Sequence, residues 1–307
     1  MTTAFTLPAA AGQLTEPESI TIAGQIQTLP LSTPLAPEPI HTTYVHQPGA
    51  QPPFLLVHGF DSSLLEYRRL IPQLAPQHEV WAVDLLGFGF TERRRALPYN
   101  PEAIKTHLYT FWQTQIQQPM VLLGASMGGA AAIDFTLTYP AAVSQLILID
   151  SAGIPQRPWT WRLMFPPLDR LATEFLRSPR VREEISRKAY ADAKWATADA
   201  TCCASLHLED PLWSWSLMQF TKSGGYGSFA AQLPELHQST LLLWGEQDQI
   251  LGTKDVAQFS QTLPNAELVW IPQAGHVPHL EQSARVAAEI LKFVAQDAVQ
   301  DAALGKR

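Results

Sequence analysis

The 307-residue sequence predicts an α/β protein. A mostly parallel central sheet should carry helices on both faces, with a helical segment inserted as a cap. Three observations lead there. Short apolar runs alternate with helical stretches from about residue 53 to 150, and again after residue 238. Several of those runs end in glycine or aspartate, as buried parallel strands commonly do. Between Ser151 and His237 the rhythm stops, and no apolar strand run occurs.

In chain order, residues 1–16 read as loosely ordered, and "ESITIAGQIQTL" (18–29) reads as a strand from its partial alternation. The proline-rich "LPLSTPLAPEPI" that follows is a loop. "HTTYVHQ" (41–47), "PFLLVHG" (53–59) and "EVWAVD" (79–84) are strands, with a helix over 63–75 between the last two. A helix over 101–116 opens on Pro101 with Asn100 as its cap. Strand 120–124, helix 127–139 stopped by Pro140, and strand 143–150 complete the first half. After the insertion come strand 240–245, a helix near 254–262, strand 266–271 and a final helix over 281–296. The core is thus 1–150 plus 238–307, with 1–38 a partly ordered N-terminal extension, and the cap is 151–237.

Composition narrows the function. Hydrophobic residues make up 46% and charged residues 16%, enough for a large core. A net charge of −7 argues against nucleic acid as a partner, because a nucleic-acid binder needs a basic surface. The two cysteines, Cys202 and Cys203, are adjacent, which suits neither a disulfide nor a metal site and fits a reducing compartment. The N-terminus lacks a basic region followed by an apolar core, so an intracellular rather than secreted protein is expected. No run is apolar and long enough to span a bilayer, which leaves peripheral contact with a membrane.

The chemistry centres on Gly124-Ala125-Ser126-Met127-Gly128, a G-x-S-x-G motif between a strand and a small-residue helix. A serine hydroxyl is a weak nucleophile and needs a base, which in turn needs an orienting acid. Asp248 follows the strand "TLLLWG" and His276 follows "AELVWI", so both lie at the same sheet edge as Ser126. Ser126, Asp248 and His276 are the expected triad. Asp150, at the end of "LILID", is a rival for the acid. His279 and His58 are rivals for the base, read respectively as a supporting or surface histidine and as a shaper of the turn after its strand. The backbone N–H groups of Phe60 and Met127 are the expected oxyanion donors. "DLLGFGF" (84–90) matches no nucleotide-binding spacing and reads as a turn. No cofactor and no metal are called for.

Taken together these motifs resemble the α/β-hydrolase superfamily over residues 40–300. Serine at position 126 disfavours the dehalogenases and epoxide hydrolases of that superfamily, which use aspartate there. "VHGFDSSLLEYRRLIPQLA", "VWAVDLLGFGFTE", "HLYTFWQTQIQQPMVLLGASMGG", "AIDFTLTYPAAVSQLILIDSAG" and "FTKSGGYGS" are similar to the chlorophyll dephytylases of plants and their cyanobacterial relatives. The resemblance implies hydrolysis of the phytyl ester of chlorophyll or pheophytin at the photosynthetic membrane, with Ser126, Asp248 and His276 catalytic. A general carboxylesterase or lipase shares the same triad, and a ligand receptor with a slow hydrolase site is a third reading.

The insertion suits an apolar substrate. Trp159, Trp161, Met164 and Phe165 cluster near its start, and Trp213, Trp215 and Met218 lie on a helix near its end. With Phe60 they are the expected substrate pocket, the alternative being that these residues pack the insertion onto the core. Residues 157–188 hold eight basic against four acidic side chains, a balance that suits an anionic membrane surface beside the cap and equally a solvated, ion-paired helix face.

Overall fold

The structure is a computed structural model and describes residues 3–154 and 168–303. Its strands are β1 (Thr3–Ala4), β2 (Gln27–Leu31), β3 (Ile40–Gln47), β4 (Phe54–Val57), β5 (Val80–Val83), β6 (Met120–Ala125), β7 (Val143–Ile149), β8 (Ser239–Gly245) and β9 (Ala266–Ile271). Among the described residues they form one nine-stranded sheet in the order β1-β2-β3-β5-β4-β6-β7-β8-β9. The first three strands and β5 pair antiparallel, and β5 through β9 are parallel.

The apolar runs form strands because both faces of the parallel part are covered. Leu55, Val57, Leu122, Leu146 and Leu242 point to one core cluster, while Phe54, Leu56, Val121, Leu123 and Leu241 point to the other. That is the two-residue alternation of a strand, with both faces apolar. On the first face lie α3 (Pro101–Phe111), α4 (Met127–Thr138) and α9 (Val256–Thr262); on the second lie α1 (Pro17–Gly24), α2 (Ile71–Leu74) and α10 (Ser283–Ala303). Asn100 caps α3, its side chain accepting the Ala103 N–H at 2.9 Å.

Three expectations need correction. Residues 17–24 are a helix, and only 27–31 are a strand. Pro17 sits in the first turn, and Ser19, Ile22 and Ala23 are buried at helical spacing while Ile20 is 53% exposed. The apparent alternation at Ile20 and Ile22 was incidental. The helix expected over 63–75 is a 3₁₀ turn, Leu64–Tyr67, followed by the four-residue α2. Finally, the extension before residue 17 is built into the molecule. Leu14 is buried, and the N–H groups of Thr15 and Glu16 donate to Asp199 in the inserted segment.

That segment holds α5 (Leu168–Arg177), α6 (Pro179–Ala189), α7 (Ala198–Cys203) and α8 (Trp213–Lys222) between β7 and β8. The sheet fixes where a site can form. From β4 the chain moves to β5 on one side and returns to β6 on the other, so the loops leaving β4 and β6 diverge. Such a switch point opens a crevice at the C-terminal strand ends.

Candidate active site

Ser126 occupies the step between β6 and α4 with φ 53° and ψ −122°, a region that non-glycine residues rarely adopt. The turn is over-determined by its surroundings. The Ser126 N–H donates to the Ile149 carbonyl at 3.0 Å, and its own carbonyl accepts from Gly129 and Ala152. A Cβ on Gly128 would collide with the Val57 carbonyl, and one on Gly124 with the Gly128 carbonyl. The spacing of the motif is therefore a steric requirement of folding the strand directly into the helix, and it leaves the serine side chain in the crevice.

The expected triad comes together. His276 Nε2 lies 3.0 Å from Ser126 Oγ, and His276 Nδ1 lies 3.0 Å from Asp248 Oδ2. The other oxygen of Asp248 accepts the N–H groups of Ile250 at 2.7 Å and Leu251 at 3.1 Å. Burial pushes the Asp248 carboxyl upward, but the hydrogen bond and charge of His276 and the two amides outweigh it, so its pKa is lowered overall. The histidine loop is itself held: the His276 N–H donates to the Ala189 carbonyl at the end of α6, and Gly275 donates to Glu281 at 2.6 Å.

Asp150 stands beside this relay without touching the imidazole's hydrogen bonds. Its Oδ1 accepts the Gly245 N–H at 3.0 Å, and its Oδ2 has no partner among the described residues. Burial, and then the negative charge of Asp248, raise its pKa well above the usual carboxylate range. The geometry assigns the acid to Asp248, which holds His276 Nδ1, and the opposite directions of the two shifts agree with it. Ligand atoms of Asp150, Asp248 and His276 converge within 4.8 Å. Both His276 nitrogens are already committed to Ser126 and Asp248, so an ion there would dismantle the relay.

The oxyanion donors can be sorted by who is free. The Gly59 N–H donates to Glu66 at 3.0 Å, whereas those of Phe60 and Met127 meet no protein acceptor among the described residues. Glu66 can hold Gly59 as an anion: burial works against its ionisation, but His279, Ser62 and the charge of His58 bring its pKa down to about 2. His58 accepts the Leu85 N–H at Nε2 and faces the Gly59 carbonyl from Nδ1, so it shapes the turn and is not poised as a base. His279 is fully buried, 3.3 Å from Glu66 rather than on the surface. Asp84 opens the Gly-rich turn and accepts from Leu64, Thr43 and Phe90.

A cavity of about 170 Å³ opens beside Ser126 and His276, lined further by Phe60, Ile185, Tyr190 and Leu280. Phe60 is 44% exposed at its mouth and contacts Phe88 edge-on. The placement of Trp213, Trp215 and Met218 in the substrate pocket is corrected. Trp213 is 1% exposed and packed in the core, Met218 is buried, and Trp215 lies away from the serine under the Arg95 guanidinium. Their helix buries its Trp213–Leu217–Phe220 face against the sheet core. Trp159, Trp161, Met164 and Phe165 lie outside the described residues.

One cluster escaped the sequence reading. Asp61, directly after Phe60, is buried with φ 51° and receives hydrogen bonds from Arg182 on α6, from His207 Nε2 at 3.2 Å and from Trp213 Nε1 at 2.7 Å on α8. The aspartate inside "HGFDSS" was the signal, but nothing in the sequence names its three partners.

A family model described as the alpha/beta hydrolase family matches residues 54–289. The chain belongs to the α/β-hydrolase family. Among curated relatives of this α/β-hydrolase, the Arabidopsis thaliana alpha/beta hydrolase domain-containing protein VTE7 is 32% identical over 243 residues, covering 78% of this chain and 73% of the relative. The 2-hydroxymuconate semialdehyde hydrolase of Pseudomonas sp. strain CF600 is 25% identical, covering 83% and 90%. Among solved structures, a thermophilic esterase of Thermogutta terrifontis superposes with a TM-score of 0.76 at 25% identity, covering 88% of this chain and 98% of that one.

Proposed function

We propose that this α/β-hydrolase is a serine esterase that cleaves the phytyl ester of chlorophyll-type pigments, releasing phytol. The observation that carries the esterase part is the continuous Ser126–His276–Asp248 relay, with two neighbouring backbone N–H groups, of Phe60 and Met127, that meet no protein acceptor among the described residues. His276 takes the Ser126 proton as Oγ attacks the ester carbonyl. The N–H groups of Phe60 and Met127 hold the oxyanion, a contribution worth about 3–4 kcal/mol per donor in related chemistry. His276 then protonates the departing phytol oxygen, and water attacks the acyl-enzyme by the reverse route. Asp248 keeps the imidazole in the tautomer that accepts at Nε2.

The pigment part is supported by the similarity of "HGFDSS", "SGGY" and the flanking stretches to the dephytylases, and by an apolar mouth formed by Phe60 and the 40%-exposed Ile185. The cavity is on the order of the volume that encloses one benzene-sized molecule. The reacting ester fits inside it, and the phytyl chain must run along the mouth. Among the described residues no helix is long and apolar enough to cross a membrane. We propose that the enzyme meets pigment at a membrane surface, where its phytyl chain is held. Purified protein mixed with chlorophyll or pheophytin in detergent should release phytol, and Ser126→Ala should not; wild type that releases none overturns the pigment reading. The same small cavity favours a second reading, a carboxylesterase for short acyl groups. A chain-length series of acyl esters separates the two.

A further inference from the structure

Asp61 is the first residue after the oxyanion donor Phe60, yet all three of its described side-chain donors come from the inserted segment: Arg182, His207 and Trp213. Arg182 also lies over the Trp213 ring, with its guanidinium carbon 5.7 Å from the ring centroid. His207 is fully buried, and burial lowers its pKa, so it serves as a neutral donor from Nε2. Burial likewise opposes the charge on Asp61, but His207, Arg182 and Trp213 together keep its pKa below the usual value. The aspartate therefore stays an anion, and its left-handed backbone is held from the cap side. On the core side, the same loop is held by Glu66 on the Gly59 N–H. The Phe60 N–H thus lies between two carboxylate anchors, one in the core and one reaching the cap.

We propose that Asp61 is a positioning residue that couples the cap to the oxyanion hole, so that the Phe60 N–H is aimed only while Arg182, His207 and Trp213 are docked. This deepens the serine-esterase reading and rests on it. A substrate or membrane that draws α6 away would withdraw Arg182 from Asp61, release the loop and switch off the chemistry, and re-docking over bound ester would restore it; Trp213, packed in the core, stays in place.

The test uses a small activated ester, p-nitrophenyl acetate, which leaves most of the cap surface uncontacted. Asp61→Asn keeps the acceptor for Trp213 but loses the charge that holds Arg182; Arg182→Met and Trp213→Phe remove donors one at a time. We expect kcat to fall about tenfold in Asp61→Asn and Arg182→Met and a few-fold in Trp213→Phe, with KM nearly unchanged. Affinity for a trifluoromethyl ketone, whose adduct places an oxyanion in the hole, should fall in step with kcat. Asp199→Asn is the control, since Asp199 ties the cap to the N-terminal segment instead. It should lower stability and leave kcat alone. Unchanged kcat and ketone affinity in soluble, folded Asp61→Asn and Arg182→Met would overturn the coupling. So would an equal fall of kcat in Asp199→Asn. If wild type shows no turnover that Ser126→Ala abolishes, the esterase reading fails instead, and the two failures are distinct.

Discussion

The sheet edge and the cap are built by different means. At the edge, Ser126, Asp248 and His276 hang on strand ends whose positions are set by backbone pairing and by glycines that admit no Cβ. The cap is tied down by a few carboxylates acting at a distance in sequence: Asp61 on Arg182, His207 and Trp213; Asp199 on Thr15, Glu16 and Ser19; Glu281 on the Ala191 N–H. Backbone geometry tolerates almost no displacement, whereas a side-chain clamp can open and re-form. The reacting groups are thereby fixed by backbone, while the segment above them is joined to the sheet edge through side-chain contacts.

If that division is right, the largest losses of activity come from the edge. Ser126→Ala should reduce kcat by about 10⁴-fold or more, measured on any ester the wild type turns over. Asp248→Asn should follow at roughly 10³–10⁴-fold, because the neutral amide cannot stabilise the imidazolium or hold its tautomer. Asp150→Asn, though its carboxyl lies in the same small cluster, should change kcat by less than about tenfold, since it makes no hydrogen bond to His276 and burial beside Asp248 raises its pKa. Reversed results for the two aspartates would exchange their roles. Stability gives an independent reading of Asp150. Its folded pKa lies above its unfolded value, so the folded state binds the extra proton and stability falls as pH rises from about 4 toward the folded pKa. Asp150→Asn should flatten that fall in urea melts taken across the range.

Glu66 carries the opposite sign. Its pKa is lowered from 4.5 to about 2, so its contribution is fully present above about pH 4.5 and is lost as pH falls toward 2. The shift corresponds to no more than about 3 kcal/mol. Glu66→Gln should remove that acid-side slope from urea unfolding curves. An unchanged slope would mean that the Gly59 anchor contributes little.

The edge was also the readable part. Parallel strands buried on both faces leave apolar runs that declare themselves, and the G-x-S-x-G turn has so little steric freedom that its glycines are visible in the sequence. The cap was legible only as an interruption. Trp213 and Met218 were read toward substrate because helical spacing shows which residues share a face but not what that face meets, and here it meets the core. The Asp61 cluster joins residues up to 152 positions apart, and no local pattern encodes such a contact. Helix α1 was missed because two isoleucines two apart imitate a strand when Pro17 and the burial of Ser19 are not weighed.

The smallest effect tests the cap from its far side. Asp199 accepts the N–H groups of Thr15 and Glu16 and the hydroxyl of Ser19, so one carboxylate holds both the start of α1 and the segment before it. Asn in its place keeps one acceptor oxygen and presents an amide N–H₂ where the Ser19 hydroxyl was bound. Burial opposes the charge on Asp199, but those donors and the charge of Arg68 keep its pKa below normal, so it is an anion in the folded protein at neutral pH. Asp199→Asn should therefore cost about 1.5–3 kcal/mol, the range for a hydrogen bond to a charged group. Protease should cut the N-terminal segment sooner, while turnover of p-nitrophenyl acetate stays at the wild-type level. If turnover falls as well, the cap is one rigid unit with the sheet edge, and the contrast between a fixed edge and a clamped cap does not hold.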